Sequence, residues 1–126
     1  MILAVFSIVT LPATGQVDTL PSNHPEYAQQ MRTPFFLFAE NFRDVRASYG
    51  RFEVRTASGE YITIIRWVDG FQARLNGRIY AEYQPYIMLS GEFIWRASYA
   101  DGRTRTIRRA DARQYRDAGT GWFTRN

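Results

Sequence analysis

Gly50-Arg51-Phe52-Glu53-Val54-Arg55 leads through Ser58-Gly59 into Tyr61-Ile62-Thr63-Ile64-Ile65-Arg66-Trp67, and the reading of this stretch decides the fold. Aromatic or β-branched residues alternate with polar ones on both arms, the period of a half-buried strand, and the Gly-containing pair between them suits a tight hairpin turn. A second unit repeats the design: Gly91-Glu92-Phe93-Ile94-Trp95-Arg96 passes through Asp101-Gly102 into Arg103-Thr104-Arg105-Thr106-Ile107. The chain is therefore expected to be all-β, an antiparallel meander forming a half-barrel or small barrel, with an N-terminal extended arm.

Two-residue turns would fix the pairing. In the first hairpin Phe52 then faces Ile65, Val54 faces Thr63 and Thr56 faces Tyr61, all on a core face; in the second, Tyr99 faces Thr104, Ala97 faces Thr106 and Trp95 faces Arg108. The column of Phe93, Trp95 and Tyr99 is flanked by Thr and Arg, so the hairpin alone does not fix which of its sides is inside. Further strands are expected near Tyr49 to Ala57, Glu60 to Trp67, Phe71 to Asn76, Arg78 to Tyr83, Tyr86 to Leu89, Glu92 to Tyr99 and Arg103 to Ala110. Pro85 cannot donate to a ladder and should sit at an edge or a bend. Ala110 to Arg116 reads as a short helix, Trp122 to Thr124 as a last strand, and Asn41 to Ser48 as a loop or a short helix.

Upstream of the hairpins the composition changes twice. Phe35-Phe36-Leu37-Phe38 opens the folded part as a short buried strand or a hydrophobic plug. Residues 16–33 are polar and punctuated by Pro21 and Pro25, with Pro34 just beyond, and read as an extended arm. Residues 1–15 read as a signal peptide: Met1 to Leu11 is nearly all apolar and Ala13-Thr14-Gly15 supplies small residues for cleavage. That run is shorter than the roughly 20 apolar residues a membrane span needs, so no transmembrane segment is expected. Residues 34–126 then form a single β-sheet domain, secreted and extracellular.

Composition narrows the chemistry. The 126 residues fit one domain, and with no cysteine there is neither a disulfide framework nor a thiolate site. The formal charge is +4, and all 16 basic residues are arginine, whose planar fork pairs with anions and lies flat on aromatic rings. The single histidine, His24, lies in the polar arm, so neither a histidine-based triad nor a multi-histidine metal site assembles. Paired carboxylates, Glu53 with Glu60 or Asp101 with Asp111, are better explained by turn chemistry and arginine pairing than by glycoside hydrolysis. No enzyme, metal or cofactor is expected.

Rings standing on a sheet face between hydroxyl and guanidinium groups make a platform for sugar rings, the pyranose C–H face lying on the π-face. The candidates are Tyr61, Trp67, Phe71, Tyr80, Tyr83, Tyr86, Phe93, Trp95 and Tyr99, and the binding set is taken as Tyr61, Trp67, Phe93, Trp95 and Tyr99 with Arg108. The rival is an arginine-rich face of Arg103, Arg105, Arg108, Arg109, Arg113 and Arg116, meeting an anionic partner, nucleic acid or acidic protein, as in a small β-barrel module of a secreted microbial or viral protein.

Gly91-Glu92-Phe93-Ile94-Trp95, Ala100-Asp101-Gly102, Thr106-Ile107 and Ala110-Asp111 ending at Tyr115 resemble the Rebers-Riddiford module of arthropod cuticular proteins. Tyr49 to Val54, Ser58-Gly59 and Asp69-Gly70-Phe71-Gln72-Ala73 are similar to the same pattern. The resemblance covers about half of the chain. It departs from the family pattern in two extra residues before the second Asp-Gly turn, and in Gln114 where the family carries glycine. It implies an extracellular, chitin-binding β half-barrel with aromatic rings on its concave face, acting as a structural matrix component beside other matrix proteins.

Overall fold

The computed structural model describes residues 17–126. The expected signal peptide lies outside the described residues. Ten strands form one antiparallel sheet: β1 (Val17–Thr19), β2 (Phe42–Ser48), β3 (Arg51–Thr56), β4 (Tyr61–Trp67), β5 (Gly70–Leu75), β6 (Arg78–Met88), β7 (Phe93–Tyr99), β8 (Thr104–Arg108), β9 (Tyr115–Asp117) and β10 (Phe123–Arg125). From β2 to β8 each strand pairs with the next, the expected meander; β10 and then β9 add beyond β2, and β1 pairs with β6. Among the described residues a short helix, α1 (Tyr27–Arg32), and a 3₁₀ turn at Phe35–Phe38 precede β2.

The sheet is curled but not closed, which selects the half-barrel of the two expected shapes. Only residues 109–114 separate β8 from β9, so strands from opposite edges of the sheet lie within about 25 Å of each other. The crossing is fastened by the Arg113 N–H donating to the Phe38 carbonyl at 2.7 Å and the Tyr115 hydroxyl donating to the Phe42 carbonyl at 2.7 Å.

Alternation sorts each strand into two faces. Phe52, Val54, Ile62, Ile64, Phe71, Ala73, Ala81, Tyr83, Trp95, Ala97 and Ile107 all point inward and are buried. Phe36 enters this inner face as a plug: it is fully buried, stacked on Tyr83 with ring centroids 4.0 Å apart, and 4.9 Å from Trp95. Of the two readings of Phe35–Phe38, the plug is the one observed.

Both hairpins differ from expectation by one residue. Phe52 pairs with Ile64 and Val54 with Ile62, and Trp95 pairs with Ile107 and Ala97 with Arg105. The loops have three residues, closed by Gly59 N–H to Thr56 O and by Gly102 N–H to Tyr99 O, each at 2.9 Å. Gly59 and Gly102 both take a φ of 92°, the left-handed region a three-residue hairpin loop requires at its last position. The shorter turn would have set Thr63 against Val54 on the core face; the longer one lets Ile62 and Ile64 fill it.

Four further expectations are corrected. Residues 17–33, the described part of the expected arm, are not detached, because β1 hydrogen-bonds to β6 and Leu20, Gln30 and Met31 are buried. The Gln30 side-chain oxygen accepts from the Trp95 indole N–H at 3.3 Å and from the Phe35 N–H at 3.4 Å, tying α1 to the core. Asn41 to Ser48 is mostly strand β2, with a register shift between Phe42 and Asp44. Arg109–Asp111 is a 3₁₀ turn and Tyr115–Asp117 a strand, so no helix runs from Ala110 to Arg116. β6 continues through Pro85, which sits where β5 leaves off and β1 begins. Its carbonyl accepts from the Leu20 N–H at 3.1 Å, so the missing donor faces the gap between those two neighbours.

Candidate functional site

Three hairpin loops, β3–β4, β5–β6 and β7–β8, gather at one end of the curled sheet, where the gap between β8 and the β2–β3 pair stays open. Two adjoining cavities occupy this end. One, of about 640 Å³, is lined by Leu75, Asn76, Arg78, Ile79, Tyr80, Tyr99, Asp101 and Arg103. The other, of about 760 Å³, is lined by Glu40, Thr56, Ser58, Glu60, Tyr80, Tyr99, Arg103 and Arg105 among others. Tyr80, Tyr99 and Arg103 belong to both, so the two read as one groove crossing the open end.

The groove is built on a buried carboxylate. Glu40 lies two residues beyond the Phe35–Phe38 plug and is only 5% exposed. Its Oε2 accepts from the Tyr83 hydroxyl at 2.6 Å and the Tyr99 hydroxyl at 2.7 Å, and its Oε1 from Arg105 Nη1 at 2.5 Å. Every oxygen of the carboxylate is thus engaged, the condition under which a buried charge is tolerated. Burial, reinforced by Glu40, pushes the Tyr83 phenol well above its ordinary range, and burial together with the hydrogen bond to Glu40 raises Tyr99 as well. Both phenols stay protonated and act as donors, which holds the Tyr99 ring at the groove wall.

Tyr80 stands edge-on to Tyr99 with centroids 6.2 Å apart. Arg103 lies over the Tyr99 ring at 4.8 Å and pairs with Asp101 at 2.7 Å. Hydrogen bonds from Arg103 hold the Asp101 carboxyl below its usual range. The lining carries three guanidinium groups, Arg78, Arg103 and Arg105, against three carboxylates, Glu40, Glu60 and Asp101, so the groove is electrically balanced.

The structure scatters the residues of the expected platform. Phe93, Trp95 and Tyr99 do share one face, but it is the inner one: Trp95 is 1% exposed and belongs to the core, where no ligand reaches it. Phe93 is half-buried with His24 edge-on at 4.9 Å. Tyr99 alone of the three opens to the groove. Phe71 and Tyr83 are core residues too. Tyr61 and Trp67 are exposed on the outer face, at 60% and 46%.

Nor do the six C-terminal arginines form one patch. Arg103 and Arg105 serve the groove; Arg108 lies on the outer face, 3.4 Å from Glu92. Arg109 pairs with Glu26 at 3.1 Å and lies over Phe35. Arg113 and Arg116 are exposed beyond the crossing. Four of the six are therefore spent on carboxylates within the fold.

Glu40 and Gln30 are absent from the site residues read from the sequence, and Tyr80, one of the nine candidate rings, is left out of the binding set. The one available signal for Glu40 was its position, an acidic residue closing the apolar run Phe35-Phe36-Leu37-Phe38-Ala39. Among the described residues no group of three or more His, Asp or Glu converges as a metal site would require, and no helix is long and apolar enough to cross a membrane. No protein family, no curated protein and no solved structure matches the chain.

Proposed function

We propose that this domain binds a neutral polysaccharide in the groove at the open end of the sheet, Tyr80 and Tyr99 supplying the ring surface. The observation that carries the reading is the combination of two half-open phenol rings with a lining whose positive and negative side chains balance. A charge-neutral groove gives no net attraction to an anion. Its Asn76, Thr56, Ser58 and carboxylate groups bond hydroxyls while the ring faces take the C–H surface of a pyranose. Chitin is the polymer to which the cuticular-protein resemblance points, and a secreted, non-enzymatic role in a matrix goes with it. Affinity per site is modest, and many copies along one polymer supply the retention.

The test is titration of chito-oligosaccharide into wild type and Tyr80→Ala, followed by calorimetry and by retention on chitin beads. Tyr80 makes no hydrogen bond in the Glu40 cluster, so the variant keeps the fold, which circular dichroism checks. A loss of about 1.4 kcal/mol, or about tenfold in Kd, is expected, with little change in wild-type affinity between ~50 and ~500 mM salt. Equal binding by wild type and variant, or no retention of wild type, overturns the proposal.

A further inference from the structure

The outer face carries a different chemistry. Rings on this face, Trp67 exposed and Trp122 and Tyr86 half-buried, are covered by guanidinium groups in two distinct ways. Near β2 and β3, Arg46 and Arg55 lie over Trp122 at 4.6 and 5.0 Å, but Arg46 pairs with Glu53 and Arg55 with Asp44, so this cluster is neutralised from within. Farther across, Arg74 lies over Trp67 at 5.6 Å and Arg96 over Tyr86 at 4.8 Å. Among the described residues neither Arg74 nor Arg96 has a carboxylate within 4 Å. Glu82, on the neighbouring strand, accepts from the Gln72 amide at 2.9 Å, and Gln72 in turn accepts from Arg74 Nε at 2.7 Å.

We infer that this patch, Trp67 with Arg74 and Tyr86 with Arg96, is a binding surface for single-stranded nucleic acid. Each half pairs a π-face with an uncompensated guanidinium held against it, so a base stacks where the ring is open and a backbone phosphate meets the guanidinium edge. The halves sit two strands apart, on β4 and β6, about 10 Å across the sheet. That spacing suits successive, splayed units of a flexible single strand and not the fixed surface of a duplex. The net positive charge of the patch is what the groove lacks, so the two surfaces select different ligands.

The experiment is fluorescence anisotropy of a labelled oligothymidylate of about 12 nucleotides against the full chain, with duplex DNA and heparin as competitors. Trp67→Ala is expected to weaken binding by about fivefold or more. Arg74→Gln with Arg96→Gln should flatten the dependence of log K on log salt by about 1.4, two single-strand phosphate contacts. All three side chains are outside the core, and circular dichroism verifies each variant. Absence of binding by wild type at low salt overturns the inference. So does heparin displacing the oligonucleotide with Trp67→Ala unchanged, an outcome that leaves only a surface for acidic polymers without stacking.

Discussion

Glu40 shows how one buried side chain organises a surface. Its two oxygens take up Tyr83, Tyr99 and Arg105, drawing β6, β7 and β8 toward the end of the plug. Burial is the leading cause of the raised phenol pKa in Tyr80, Tyr83, Tyr99 and Tyr115 alike, with Glu40 adding to it in the first three. In the unfolded chain these phenols ionise near pH 10. Above that pH the native state holds protons which the unfolded state has released, so the stability they contribute is complete below about 10 and falls as pH rises through the folded values. An alkaline titration of the protein, with eight tyrosines, is therefore expected to stop short of full tyrosinate absorbance while the fold persists. The remainder should appear together with the loss of the native circular dichroism. Full ionisation of all eight in a still-folded protein would refute this account of the cluster.

At the scale of elements, the Phe35–Phe38 plug is the piece on which the inner face depends. Phe36 touches β5, β6 and β7 at once through Phe71, Tyr83 and Trp95. Phe36→Ala should cost about 3–5 kcal/mol in urea unfolding, the range for a fully buried phenylalanine; a cost under about 1 kcal/mol would mean that the sheet packs without it. The plug and most strands were legible because apolar runs and period-two alternation are properties of adjacent residues. Register was not, since loops of two and three residues carry the same Ser-Gly or Asp-Gly signal and differ only in which carbonyl closes the turn. β2 escaped notice because the irregularity at Arg43 places Asp44 and Val45, both buried, side by side and erases the alternation. The groove was hidden for a deeper reason. Glu40, Tyr80, Tyr99 and Arg105 lie up to 65 residues apart in the chain, and only the curl of the sheet brings them together.

The whole molecule presents two surfaces of different electrostatic character, one balanced and one cationic, on one rigid sheet. The groove lies where β4 begins and β6 begins, at Tyr61 and Arg78; the rings of the outer patch, Trp67 and Tyr86, lie toward their far ends, and Arg74, one residue from the groove-lining Leu75, reaches away from the groove over Trp67. Six residues of β4 separate the ends, about 20 Å, twice the Debye length in moderate salt. No side chain lines both sites, and the strands between them are held by the continuous ladder from β3 to β7. Coupling between sites needs an element with two arrangements that both ligands bias, and a fully paired sheet with a packed inner face offers none. Chito-oligosaccharide affinity should therefore change by less than about twofold when oligothymidylate saturates the protein, and the reverse should hold to the same factor, because linkage is reciprocal. Raising the salt should then release the oligonucleotide while the sugar stays bound. Competition between the two ligands in a calorimetric titration would place both in one site, and the separation of a neutral groove from a cationic face would have to be abandoned.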